Sequence, residues 1–232
     1  MASNWLDFFN GEHALYVNAR HKALHDRLIA GDVAALVTAP GAVVLDFGCG
    51  EATEAPTVSR RCATLYLSDA ATAVLGRVAQ RYAGDQVIRT LTPAEVEALP
   101  PGSLDLVVVN SLLQYLPRAE LVRWLAIWQE RLRPGGRLVL GDVIPPDVSP
   151  LADAAALLRF GFEGGFLMAA LAGLVRTALS DYRTLRARLG LTTYEEGDIL
   201  GLVEGAGLRA ERRRPNIGHN QARMTIVGTK EA

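Results

Sequence analysis

Residues 43–53 read VVLDFGCGEAT, a short apolar run broken by two closely spaced glycines. The run at residues 42–47 contains β-branched side chains, and Gly48-Cys49-Gly50 follows it at once. That pattern reads as a buried strand opening into a tight turn and then a helix. Gly48 and Gly50 let the backbone approach a bound molecule closely, and the helix that follows offers free N–H groups. A GxG turn alone is weak evidence, because many strand–helix turns need glycine only for packing. Two neighbours sharpen it. Thr53 stands where the third glycine of a dinucleotide fingerprint belongs, and Asp46 lies two positions before the first glycine. A carboxylate is repelled by a pyrophosphate but attracts an ammonium or a sulfonium. Asp69, 23 residues beyond Asp46 at the end of the next apolar run, is placed to take both hydroxyls of a ribose. The ligand implied is a nucleoside with a positively charged tail and no phosphates.

Outward from this turn the alternation continues. Residues 64–67, 86–91, 104–109 and 137–140 read as strands, with helical spacing at 71–82 and 118–131. Pro100-Pro101-Gly102-Ser103 and Arg133-Pro134-Gly135-Gly136 supply the breaks. Strands alternating with helices imply a doubly wound α/β fold, a parallel sheet covered on both faces. Upstream, residues 12–37 have helical spacing and stop at Thr38-Ala39-Pro40-Gly41. Residues 145–190 break the rhythm with helical stretches near 151–160, 166–179 and 181–189, where a short loop would serve. A long excursion from the top of a strand is more often functional than decorative. A helix at 194–206 and strands at 209–214 and 223–229 close the chain. The expected organisation is a helical lid at 1–38, a ligand-binding core at 39–144 and 191–232, and a helical substrate cap at 145–190.

Composition excludes several classes. The 232 residues can bury a substantial core, and 50% hydrophobic with 21% charged residues is globular rather than disordered. Lys+Arg 24 against Asp+Glu 25 leaves a net charge of -1, which argues against a nucleic-acid partner. The one basic cluster, Arg209, Arg212, Arg213 and Arg214, fits an exposed strand face. Cys49 and Cys62 make neither a disulfide framework nor a zinc set, and Cys49 reads as a small turn residue rather than a nucleophile. The first eleven residues lack the apolar core of a signal peptide, and the longest apolar stretch, 166–175, is too short for a bilayer. These features predict a soluble cytoplasmic protein without membrane contact.

VVLDFGCGEAT (43–53), LYLSDAA (65–71), LPPGSLDLVVVNSLLQYL (99–116) and LRPGGRLVLGDV (132–143) together resemble the successive motifs of class I S-adenosylmethionine-dependent methyltransferases. MTIVGTK (224–230) is similar to the family's closing hairpin. The resemblance implies a Rossmann-like, mostly parallel seven-stranded sheet with an antiparallel last strand. It implies S-adenosylmethionine as cofactor, S-adenosylhomocysteine as product and a small-molecule acceptor. It further implies that Gly48, Cys49 and Gly50 line the methionine moiety, with Asp46 behind it. Asp69 and Ala70 would meet the ribose, Asn110 and Ser111 would pass beneath the cofactor, and Tyr16 and Arg20 would close over it from the lid. Many members carry an acidic residue after the third strand for the adenine; Leu91-Thr92-Pro93 stands there, leaving Thr92 as the candidate.

On the acceptor side, Tyr115, Asp142 and Asn220 follow strand ends and are the expected substrate contacts. His219 sits in the turn at 215–220, which the family's topology would bring to the ligand end, where an imidazole suits proton removal near neutral pH. Its plainer role is to hold that turn. His21 and His25, four apart on one helical face, are the alternative bases; with no third ligand at suitable spacing, no metal is expected. The insertion at 145–190 is expected to cover the carboxyl end of the sheet and to supply much of an acceptor pocket. An apolar lining there would suit an apolar or aromatic acceptor. The protein would be a monomer or homodimer. Two rival readings are a nicotinamide-dependent dehydrogenase, disfavoured by Thr53 and Asp46, and a non-catalytic binding module on the same fold.

Overall fold

Seven strands form one sheet in the order β3-β2-β1-β4-β5-β7-β6. They are β1 (Val43–Phe47), β2 (Thr64–Ser68), β3 (Ile88–Leu91), β4 (Leu104–Asn110), β5 (Leu132–Val143), β6 (Arg209–Arg213) and β7 (Met224–Thr229). The first five run parallel, and β7 is antiparallel to both β5 and β6, as the resemblance implied. This computed structural model describes residues 5–10, 16–178 and 190–231. The helices are α1 (Trp5–Asn10), α2 (Ala19–Leu36), α3 (Ala55–Ser59), α4 (Thr72–Arg81), α5 (Pro93–Glu97), α6 (Arg118–Arg131), α7 (Pro150–Glu163), α8 (Leu167–Ala178) and α9 (Glu196–Gly205), of which α2 to α6 and α9 contribute to the cores on the sheet. The third helical stretch expected in the insertion, 181–189, lies outside the described residues.

Alternation along the strands builds two cores. Val44, Leu65, Leu67, Leu106, Val108 and Val139 pack on one face against Ala30, Val33 and Ala34 of α2. Leu45, Phe47, Val107, Val109, Leu138 and Leu140 pack on the other with Trp124 and Trp128 of α6 and Ile199 and Val203 of α9. Successive side chains therefore serve opposite layers, as a sheet buried on both faces requires. The Phe47 ring lies 4.4 Å from Trp124 and 5.2 Å from Trp128, which fixes β1 to α6 directly behind the glycine turn.

Two boundaries differ from the periodicity. The helix expected at 12–37 is observed as Ala19–Leu36, where the Asn18 side chain accepts from the His21 amide at 2.8 Å and caps it. Arg133-Pro134-Gly135-Gly136 is no gap between helix and strand. It is a bulge inside β5, where the pairing jumps from Leu104↔Leu132 to Leu106↔Arg137. Gly135 takes φ 76, open to glycine at little cost. No helix among the described residues is long and apolar enough to cross a membrane.

Candidate functional site

Strand periodicity carries the site residues to one place. Two positions beyond Val44, Leu67 and Val108 stand Asp46, Asp69 and Asn110, all on the α2 side at the carboxyl ends of β1, β2 and β4. They line a cavity of ≈ 300 Å³ that α2 closes with His25, Asp26, Ile29 and Val33. This is a size suited to a small ligand, at the end of the sheet where open α/β folds bind ligands.

The glycine turn forms the cavity wall between β1 and α3. Gly48 and Gly50 take φ 80 and 56. A Cβ on Gly48 would sit 2.9 Å from Leu112 Cδ2, so both the backbone and the space demand glycine there. The amides of Gly48 and Cys49 donate to the Ser68 carbonyl at 2.8 and 3.0 Å. Asp69 completes the stitch: one carboxylate oxygen accepts from the Gly50 amide (3.0 Å), the other from the Ala71 amide (2.8 Å). Burial pushes the Asp46 carboxyl up to about 7, and the Asp69 charge adds to it. Burial raises Asp69 as well, against the pull of its two amides. Burial, then Asp46 and Asp69, drive the Cys49 thiol well above its ordinary value, so it stays protonated and carries no nucleophile.

The opposite wall comes from the N-terminal segment. Phe9, Tyr16, Lys22, His25 and Asp26 all line the cavity, and Tyr115 faces it from the turn after β4. Lys22 pairs with Asp26, which also accepts from the Thr53 hydroxyl, tying α2 to the glycine turn. The Phe9 and Trp5 rings lie 5.1 and 4.7 Å from Tyr115. Burial, then Asp26 and Glu51, keep the Tyr16 phenol protonated.

His219 does come to His21 and His25, as a turn at the ligand end requires. Ring centroids are 6.2 Å apart for His21–His25, 5.7 Å for His25–His219 and 6.4 Å for His21–His219. Only His25 of the three lines the cavity. His21 is buried and stacks on Phe166 at 5.0 Å, with Nδ1 accepting from the Val17 amide; His219 stacks on Phe160 at 4.7 Å. Burial, then His219, lower His25 to about 4; burial, then His21, lower His219 to about 4. Both rings are neutral at physiological pH. Among the described residues no group of three or more His, Cys, Asp or Glu side chains could hold a metal ion.

Several expected contacts lie elsewhere. Arg20 is turned away, its Nε donating to the Gly164 carbonyl at 2.6 Å. Thr92 is exposed and caps α5, exchanging hydrogen bonds with Glu95. Ala70 is exposed and does not line the cavity. Asp142 and Asn220 do not line it either; they belong to a polar network with Ser111, Asp153 and Arg223. No described residue of the insertion lines the cavity; α7 and α8 and the turn between them meet Arg20 and His21 of α2 and His219 of the β6–β7 turn. Residues missed by the sequence reading include Phe9, Lys22, Asp26 and Leu112. Lys22 and Asp26, four apart like a helical ion pair, carried the one available signal.

Residues 44–136 match the model of a family described as a methyltransferase domain. No curated protein sequence matches the chain. Solved structures share its fold. The YcgJ protein of Bacillus subtilis is 13% identical, with 90% of this chain and 100% of that one aligned at a TM-score of 0.60. Magnesium protoporphyrin IX methyltransferase from Synechocystis PCC 6803, with bound S-adenosylhomocysteine, is 19% identical over 97% of this chain and 92% of its own, TM-score 0.59. The same enzyme is also known with S-adenosylmethionine bound.

Proposed function

We propose that this chain, whose residues 44–136 match the model of a methyltransferase domain, is an S-adenosylmethionine-dependent enzyme that methylates a small molecule admitted between Tyr16, His25 and Tyr115. The observation that carries this reading is the convergence of Asp46, Gly48, Gly50 and Asp69 on one cavity. When bound, S-adenosylmethionine supplies an electrophilic methyl group on a sulfonium. The residues fit such a donor. Each Asp69 oxygen accepts one backbone N–H and keeps lone-pair capacity for a ribose hydroxyl. Asp46 offers a carboxyl toward a positively charged tail, and Gly48 admits a close backbone approach.

The rest of the wall orients the acceptor. Phe9, Tyr16, Tyr115 and Leu112 give the wall an aromatic and aliphatic lining, which suits an apolar or aromatic acceptor and keeps water out. Holding nucleophile and methyl in line supplies much of the acceleration. His25, neutral and on the wall, takes the proton of an acceptor hydroxyl or acidic carbon, with His219 behind it.

Calorimetry with S-adenosylhomocysteine, followed by labelled-methyl transfer to an acceptor panel, tests the reading. Binding and transfer are expected. His25→Gln should keep the affinity and lower transfer by roughly 10²-fold. A wild-type protein that does not bind S-adenosylhomocysteine would end the proposal; unchanged transfer in His25→Gln would remove that residue from the chemistry.

A further inference from the structure

The polar network beside the cavity forms an unbroken chain of contacts from the cavity wall to α7. Ser111 lines the cavity, and its hydroxyl donates to Asp142 Oδ2 at 2.7 Å. The same oxygen accepts from Arg223 Nη1 at 2.8 Å. The other arm of that guanidinium, Nη2, lies 3.2 and 3.3 Å from the two carboxylate oxygens of Asp153, on the first turn of α7. Asn220 adds a second tie, its Nδ2 donating to Asp153 Oδ1 at 2.8 Å. All three charged side chains are largely withdrawn from solvent.

Two more observations give the chain a direction. Ser111 and Asp142 both hold left-handed backbone, φ 55 and 59, which for residues other than glycine persists only where surroundings over-determine it. Their mutual hydrogen bond and the grip of Arg223 are such surroundings. Helix α7, held at Asp153, also carries Phe160, whose ring lies parallel to His219, and His219 neighbours the cavity-lining His25. The chain thus starts at the cavity and returns to it.

We propose that Arg223 is a positioning residue: it couples ligand contact at Ser111 to α7, and through Phe160 to the placement of the His219–His25 pair. The proposal rests on the reading that the cavity takes S-adenosylmethionine and its product. A ligand packed on Ser111 restrains its hydroxyl and so the Asp142 carboxylate. The rigid, planar guanidinium of Arg223 ties the two carboxylates together, so the restraint reaches Asp153. By linkage, ordering of α7 favours the ligand by the same factor.

Hydrogen exchange of α7, measured with and without saturating S-adenosylhomocysteine, tests this. In the wild type, exchange of α7 amides should slow about fivefold or more on binding, the lower end of typical coupling. Asp153→Ala keeps the Asp142–Arg223 pair but cuts the link to α7. It should bind S-adenosylhomocysteine within a few-fold of wild type, with most of the α7 response to the ligand lost. Arg223→Lys, whose single ammonium cannot bridge both carboxylates as the guanidinium does, should lose most of the response. An α7 that ignores the ligand in the wild type overturns the proposal, as does an Asp153→Ala protein that responds fully. Failure of the wild type to bind in calorimetry would instead overturn the cofactor reading, and the coupling with it. A purely structural Arg223 would change α7 exchange equally with and without ligand.

Discussion

The cavity is flanked by two regions built by opposite means. On the β1–β2 side, the glycine turn is held almost wholly by backbone: amides of Gly48 and Cys49 on the Ser68 carbonyl, and Asp69 on the amides of Gly50 and Ala71. The farthest of these partners is 20 residues away in sequence. On the β4–β5–β7 side, side chains hold one another across sequence separations of 31, 70 and 81 residues. A backbone-built wall tolerates change except where a carboxylate or a glycine is irreplaceable. A wall of buried charges fails as a unit, because removing one leaves its partners unpaired.

The largest effect should come from the second region. Arg223→Met strands the carboxylates of Asp142 and Asp153, and breaking a buried pair from one side costs about 3–5 kcal/mol. Urea unfolding of the variant measures it; a loss below about 1 kcal/mol, the level of an exposed pair, would mean the network is solvated.

Next is Asp69→Ala, which removes the one side chain on which the backbone-built region depends. Loss of charge-assisted hydrogen bonds worth about 1.5–3 kcal/mol should weaken S-adenosylhomocysteine by tens of fold in calorimetry. Unchanged affinity would place Asp69 outside the ligand's reach.

Gly48→Ala should follow, at about 1–2 kcal/mol of stability for left-handed backbone, plus displacement of Leu112. Thermal unfolding reads the loss, and a neutral result would show that the turn relaxes.

The last comparison is one of pH. His219 is held near 4 by burial and by His21, below its ordinary 6.5, so the neutral ring is favoured by folding. That contribution is fully present above pH 6.5 and is lost as pH falls toward about 4. Asp46, raised to about 7, has the opposite sign: its contribution is present below pH 3.8 and is lost as pH rises through 7. Urea titrations across pH 4–7 should therefore show a shallower acid-side loss in His219→Gln and a shallower rise-side loss in Asp46→Asn. Parallel curves for all three proteins would contradict both assignments.

The two regions also differ in how far they could be read in advance. Asp46, Gly48, Gly50 and Asp69 follow from a strand–turn–helix pattern and Cys49 from the family resemblance, and all five line the cavity. Asn110, Ser111 and Tyr115 are legible only through the family resemblance after β4, and all three line the cavity. Asp142 and Asn220 are legible as residues of a strand end and a turn, but their partners are not, since Arg223 and Asp153 carry no local pattern that points at them. Arg20 and Tyr16 lie four apart, yet one reaches Gly164 while the other enters the cavity, a choice made by the docking of α8 against residue 17.

What the sequence determined by itself was whatever has a period or a turn chemistry: the strands and helices, the two faces of the sheet, the glycine turn, and the carboxylates brought by strand register to one end. Those follow from interactions within a few residues and from alternation that cannot slip without exposing a core. The tertiary structure alone decided which side chains from distant elements share a proton or a charge. It gathered three imidazoles from α2 and the β6–β7 turn, and it drew Arg223 between Asp142 and Asp153. The physical reason is that such contacts are selected by burial: a polar group withdrawn from water must find a partner in space, and sequence distance places no bound on where that partner stands.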